Sequence, residues 1–206
     1  MASEIWSTIH QEREALAADL KGVDEAAWAT PSMCDRWTVR DVVAHMTATV
    51  KITPLAFFPK LAASGFGLER MQEKDIARER GASTSDTLAG FEAQVGSSKH
   101  PPGPTPTWLG EVIVHGEDVR RPLGIAHDYP MDAVVTVADS YKGSNLIIGA
   151  KKRLAGLKLI ATDTDWQHGD GAAVSGPMVA LLLAMTGRKP VLDDLEGDGV
   201  AILRGR

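Results

Sequence analysis

The chain has 206 residues, 44% of them hydrophobic and 24% charged, with a formal net charge of −5, an ordinary globular composition that allows one large domain or two small ones with cores of their own. Its longest cationic cluster, Lys151, Lys152 and Arg153, spans three residues and is too small for the basic surface that nucleic-acid binding needs. No apolar run reaches the length of a membrane span and the N-terminal MASEIWSTIHQERE carries acid where a signal peptide carries positive charge, so a cytoplasmic protein without nucleic-acid or membrane partners is expected.

In chain order, Ile5, Ile9, Leu16 and Leu20 with Trp6 predict a first amphipathic helix over 3–20, ended by Gly22. Val23 to Arg36 reads as a loop. Its Cys34, the only cysteine, can form neither an internal disulfide nor a CxxC motif and reads as a small buried hydrophobe rather than a nucleophile. Thr38 is placed to cap a second helix through Val42, Val43, His45 and Met46. Ile52 to Gly67, broken by Pro54 and Pro59 and carrying Phe57, Phe58 and Phe66, predicts a kinked, partly helical excursion that could form a lid or a wall. The charged stretch Leu68 to Arg80 reads as a solvated helix whose Arg70, Arg78 or Arg80 could instead reach an anionic ligand. Thr84 or Ser85 caps a helix over Asp86 to Val95, and SSKHPPGPTP is a stiff connector into a fourth helix that begins near Pro106 or Thr107 and closes at Pro122 and Gly124.

Four principal helices predict an antiparallel bundle. Beyond the linker His127-Asp128-Tyr129-Pro130 the sequence predicts a helix from Met131 to about Leu154, weakened by Gly143 and Gly149. It then predicts a strand over Leu157 to Thr162, a turn over Asp163 to Gly171, a short strand at Ala173 to Ser175, an apolar helix over Met178 to Met185 and a closing strand over Gly199 to Leu203. The result is an α+β chain of two parts, divided as 1–127 and 128–206.

Within TWLGEVIVHGEDVRRPLG, Glu111 and His115 stand one turn apart on one face of a segment apolar enough to be buried. A carboxylate and an imidazole so placed can share one divalent metal, given a third ligand from elsewhere. His45 falls on the apolar face of the second helix, where it is either a core histidine bonded to a carbonyl or that third ligand. Asp118, on the same face as Glu111 and His115, either orients a ligand imidazole or faces solvent beside Arg121.

The phrases CDRWTVRDVVAHM, GEVIVHGEDVRRPLG and DWQHGDGAAVSGPMVALLLAMTGR resemble the mycothiol-dependent maleylpyruvate isomerase family of DinB-like metalloenzymes over nearly the whole chain. The resemblance implies a DinB-like four-helix bundle holding a divalent metal, usually zinc, on His45, Glu111 and His115. It also implies a sterol-carrier-like α/β C-terminal part whose best match to an arginine contributing to activity is Arg188. Mycothiol, the thiol cofactor of the family, would supply the nucleophile for isomerisation of, or transfer to, a small electrophilic substrate. The other reading, from a different class, is a binding or sensing module of the same fold that performs no turnover. If the enzyme reading holds, the C-terminal part is expected to close the open end of the bundle, with Arg188 as the cation for an anionic substrate.

Overall fold

A computed structural model describes residues 2–146 and 148–206, and the chain clusters into two compact units, Met1–His127 and Asp128–Arg206. In the first unit α1 (Ala2–Leu20) is followed by a 3-10 turn (Glu25–Ala29), α2 (Val39–Lys51), α3 (Pro54–Ala63), α4 (Leu68–Glu79), α5 (Thr84–Glu92) and α6 (Thr105–Arg120). α1 packs on α5 and α6, and α2 on α4, α5 and α6, so the expected bundle is formed by α1, α2, α5 and α6. Ile9, Leu16, Val39, Val42, Val43, Phe91, Leu109 and Ile113 fill its centre. Among the described residues, no helix is long and apolar enough to cross a membrane.

Local chemistry accounts for the helix limits. Thr38 caps α2 through a reciprocal box with Asp41, worth about 1 kcal/mol. α5 starts earlier than expected, because Ser83 rather than Thr84 or Ser85 makes the equivalent box with Asp86. α6 likewise begins at Thr105, with Pro106 in its first turn, where a missing N–H costs nothing. It closes in a Schellman motif, Gly124 N–H to the Arg121 carbonyl and Ile125 N–H to the Arg120 carbonyl, with Gly124 at φ +69°. The connector before it is held by a ladder of rings, Trp6 on His100 at 5.5 Å and His100 on Trp108 at 5.4 Å.

Two expectations about the middle of this unit change. α4 is not wholly solvated: Met71, Asp75 and Ile76 form a buried stripe, and Asp75 is neutralised by Lys60 at 2.5 Å and Arg78 at 3.0 Å. The excursion contains a regular helix, α3, capped by Thr53 with Pro54 at its start, yet none of its residues is buried. Phe58 and Phe66 are exposed, and Phe57 meets Phe58 edge to face at 5.4 Å.

The second unit comprises α7 (Met131–Tyr141), α8 (Ala150–Arg153), β1 (Leu157–Ala161), β2 (Gln167–Gly169), β3 (Ala172–Gly176), α9 (Met178–Met185), a 3-10 turn (Lys189–Asp194) and α10 (Gly199–Arg204). The sheet order is β2-β1-β3, with β1 antiparallel to β2 (Leu159 opposite His168) and parallel to β3 (Leu159 opposite Val174). α9 is apolar all round because it is enclosed by α7, β1, β3 and the second 3-10 turn.

Three expectations are corrected in this unit. The long helix over Met131 to Leu154 stops at Tyr141 and resumes only as α8, with Gly149 at φ +69° before the restart; that span also crosses Ile147, which lies outside the described residues. The turn over Asp163 to Gly171 contains β2, three residues without a buried apolar side chain and too short to show a strand period. At its end a Cβ on Gly169 would stand 2.1 Å from the Leu157 carbonyl oxygen, so only glycine fits. Gly199 to Leu203 is helical, not a closing strand. Only Gly199 and Leu203, four apart, are buried, which is one face of a helical turn.

Candidate metal centre

α2 carries His45 on its buried face and α6 carries Glu111 and His115 one turn apart. The fold brings them together: one ligand atom from each lies within 4.8 Å of the others. His45 Nε2 is 3.7 Å from Glu111 Oε1, and the two imidazoles meet nearly edge to face at 5.0 Å. Burial, opposed by the Glu111 charge and aided by His115, lowers the His45 pKa to about 4, so the ring is neutral near pH 7 with a lone pair to offer.

Two neutral or neutralisable nitrogens and one carboxylate oxygen are a donor set suited to a divalent cation. Glu111 Oε1 supplies the fit test. It is buried and has no hydrogen-bond partner, and a buried carboxylate oxygen left so is costly unless a cation faces it. Asp118 resolves toward α6 rather than solvent: it is fully buried and its Oδ2 lies 2.8 Å from His115 Nδ1. A carboxylate on the far nitrogen fixes the orientation of a ligand imidazole.

Sequence reasoning missed three neighbours. Trp37 carries no signal in the sequence beyond standing before the cap Thr38, but its ring lies 4.8 Å from that of His45 and 6.2 Å from that of His115. Arg13, a charge inside an amphipathic pattern, is buried on α1, donates to the Ser97 carbonyl at 2.7 Å and lies within electrostatic range of Glu111. Cys34 is not a buried core residue: it is part-exposed, and its Sγ lies within 4.8 Å of ligand atoms of His115 and Asp118. Nothing local in the sequence ties Cys34 to α6; the link is a backbone bond from Met33 N–H to the Asp118 carbonyl at 3.3 Å.

The remaining candidates are engaged elsewhere. Arg70 donates to the Ser64 carbonyl, Arg78 pairs with Asp75 and Glu79, and Arg80 pairs with Asp41 at 3.1 Å. In the second unit, Arg188 follows Gly187 and donates to the Thr186 carbonyl at 3.3 Å, at the C-terminal end of α9. The Arg188 charge and, more strongly, burial lower the pKa of Arg153.

The mycothiol maleylpyruvate isomerase N-terminal domain family matches residues 9–100, a span that includes His45 and stops short of Glu111. Two solved structures resemble nearly the whole chain. A mutant of the mycothiol-dependent maleylpyruvate isomerase, one histidine changed to alanine, superposes with a TM-score of 0.67 at 16% identity, covering 96% of this chain and 93% of that one. The same isomerase without the mutation gives 0.66 at 15% identity with the same coverage. No curated protein sequence matches. Residues 9–100 belong to the mycothiol maleylpyruvate isomerase N-terminal domain family, and the chain has the α+β fold of the maleylpyruvate isomerase.

Proposed function

We propose that this chain is a divalent-metal enzyme in which His45, Glu111 and His115 hold zinc, and a low-molecular-weight thiol, mycothiol, is used to isomerise, or is transferred to, a small electrophilic substrate. The observation that carries the reading is the convergence of three donors from two helices within 4.8 Å, with Glu111 Oε1 buried and unpartnered. The domain family of residues 9–100 supports the choice of thiol.

Zinc held by three protein ligands keeps one open position and, when bound, lowers the pKa of a water or thiol there, supplying a nucleophile near neutral pH. The chain's own residues prepare for it. Asp118 accepts from His115 Nδ1–H, which leaves Nε2 as the ligand atom and holds the ring in one orientation. His45 needs no deprotonation to ligate, since burial already keeps it neutral. The Trp37 ring stands beside both imidazoles, nearer that of His45. The Arg13 charge offsets that of Glu111 from within α1. By resemblance to the family alone, Arg188 is proposed as a residue that contributes to activity.

Metal analysis of protein purified without chelator tests the reading. About one equivalent of metal is expected in the native chain, with loss of more than about 100-fold in affinity in His45→Ala and Glu111→Ala. Unchanged metal content in both variants would sink it. With mycothiol present, native protein is further expected to consume maleylpyruvate faster than buffer does, with mycothiol regenerated if the reaction is isomerisation and used up if it is transfer, where a sensor would bind without changing the rate. Arg188→Ala should keep the metal and lower kcat/KM.

A further inference from the structure

Among the described residues there are two groups of three side chains whose ligand atoms converge within 4.8 Å: His45, Glu111 and His115, and Cys34, His115 and Asp118. His115 belongs to both. Donors 2.0–2.3 Å from one zinc in tetrahedral geometry stand roughly 3.3–3.8 Å apart. A group already within 4.8 Å can therefore close on an ion with shifts of about an ångström or less.

The second group is built into the fold. Asp118 is fully buried on α6. The Cys34 loop is folded back by Ser32, whose N–H donates to the Trp37 carbonyl at 2.9 Å and whose Oγ accepts the Cys34 N–H at 3.1 Å. The Met33 N–H then fastens that loop to the Asp118 carbonyl. Backbone hydrogen bonds and the Ser32 hydroxyl thus hold the Cys34 loop against α6. The donor types are thiol, imidazole and carboxylate, which differ from the first group in carrying sulfur and so favour a softer ion.

We propose that Cys34, His115 and Asp118 form a second ligand set that takes a thiophilic divalent cation, with Cys34 bound as the thiolate. An imidazole has two ring nitrogens, so His115 can serve either set, one at a time: to ligate beside Asp118 through Nδ1 it gives up the hydrogen bond to Asp118 Oδ2 and carries its proton on Nε2 instead. Coordination deprotonates the thiol, its proton passing to the buffer as the metal–sulfur bond forms. The inference rests on the metal reading above only through the shared His115, and it needs neither mycothiol nor turnover.

The test uses the full chain stripped of metal and free of added thiols, titrated with cadmium. Cys34 is the only cysteine, so a near-ultraviolet sulfur-to-metal charge-transfer band has one possible source. The band is expected in the native chain and in His45→Ala, and is expected to be lost in Cys34→Ser and weakened in Asp118→Asn. In the native chain, cadmium should also slow alkylation of Cys34 by iodoacetamide by at least about tenfold.

Absence of the band at saturating cadmium, or an alkylation rate that cadmium does not change, overturns the proposal. The two readings fail separately. Full metal content in His45→Ala and Glu111→Ala with the band intact removes the first set and keeps the second. Metal lost in those variants, with no band in the native chain, does the reverse.

Discussion

The two units bury different chemistry. Among the described residues, every buried charged side chain lies in residues 1–127, including Glu12, Arg13, Asp75, Glu117, Asp118 and Arg120, whereas the interior of residues 128–206 is built from apolar groups such as Leu157, Leu159, Val174, Leu181 and Leu182. Burying a charge costs several kcal/mol unless a partner meets it, and the first unit provides partners: Glu12 to His127, Arg120 to Asp19 and Asp118 to His115, at 2.7, 2.7 and 2.8 Å. Glu111 Oε1 departs from this pattern: it is buried with no hydrogen-bond partner, and it faces only the His45 ring at 3.7 Å and the more general influence of the Arg13 charge. Among the described residues, the second unit buries no charged side chain. A cation at Glu111 would complete the pairing of the first unit, and nothing comparable is asked of the second.

The contrast can be broken most forcefully in the second unit. Leu182→Ala removes a fully buried side chain from α9 and should destabilise by about 2–5 kcal/mol. Faster amide hydrogen exchange over β1 and β3 would report it, with metal content unchanged. A loss of metal in this variant would mean the two units do not divide the work as described.

The next effect belongs to the first unit. In metal-free protein the His45 pKa falls from the usual 6.5 to about 4, so between those values the unfolded chain binds a proton that the folded chain refuses. Stability is therefore full above pH 6.5 and declines as the pH drops toward 4, by at most about 3 kcal/mol at 1.36 kcal/mol per unit. Urea denaturation with chelator across that range checks it, and His45→Gln should flatten the slope. A slope equally steep in that variant would assign the pH dependence to other groups.

The smallest effect sharpens the reading of Asp118. Asp118→Asn keeps the size of the side chain but removes the charge facing His115 Nδ1, and should lower zinc affinity about 10–100-fold. Competition with a chromophoric chelator measures this, and an unchanged affinity would reduce Asp118 to a structural partner of its helix.

The sequence by itself determined the helices of the first unit, because their apolar spacing and caps are local properties. Ile9, Leu16 and Leu20 recur on one face of α1, and Thr38 with Asp41 closes a box within four residues. It also determined that Glu111 and His115 share a face of α6, since i and i+4 meet on any helix. Weak or absent periodicity explains what was misread. β2 is only three residues long, with no buried apolar side chain, and pairs along the edge of β1, and Gly199 to Leu203 looks like a strand until its partner surface selects two residues four apart.

Only the tertiary structure decided the neighbours of the centre. His45 meets Glu111 from 66 positions away because α2 packs on α6, and Arg13 turns inward because the Ser97 carbonyl is there to accept it. Cys34 comes near His115 because Ser32 folds its loop and the Met33 N–H fastens that loop to the Asp118 carbonyl. Such contacts depend on the close approach of distant segments, and no spacing along the chain encodes them.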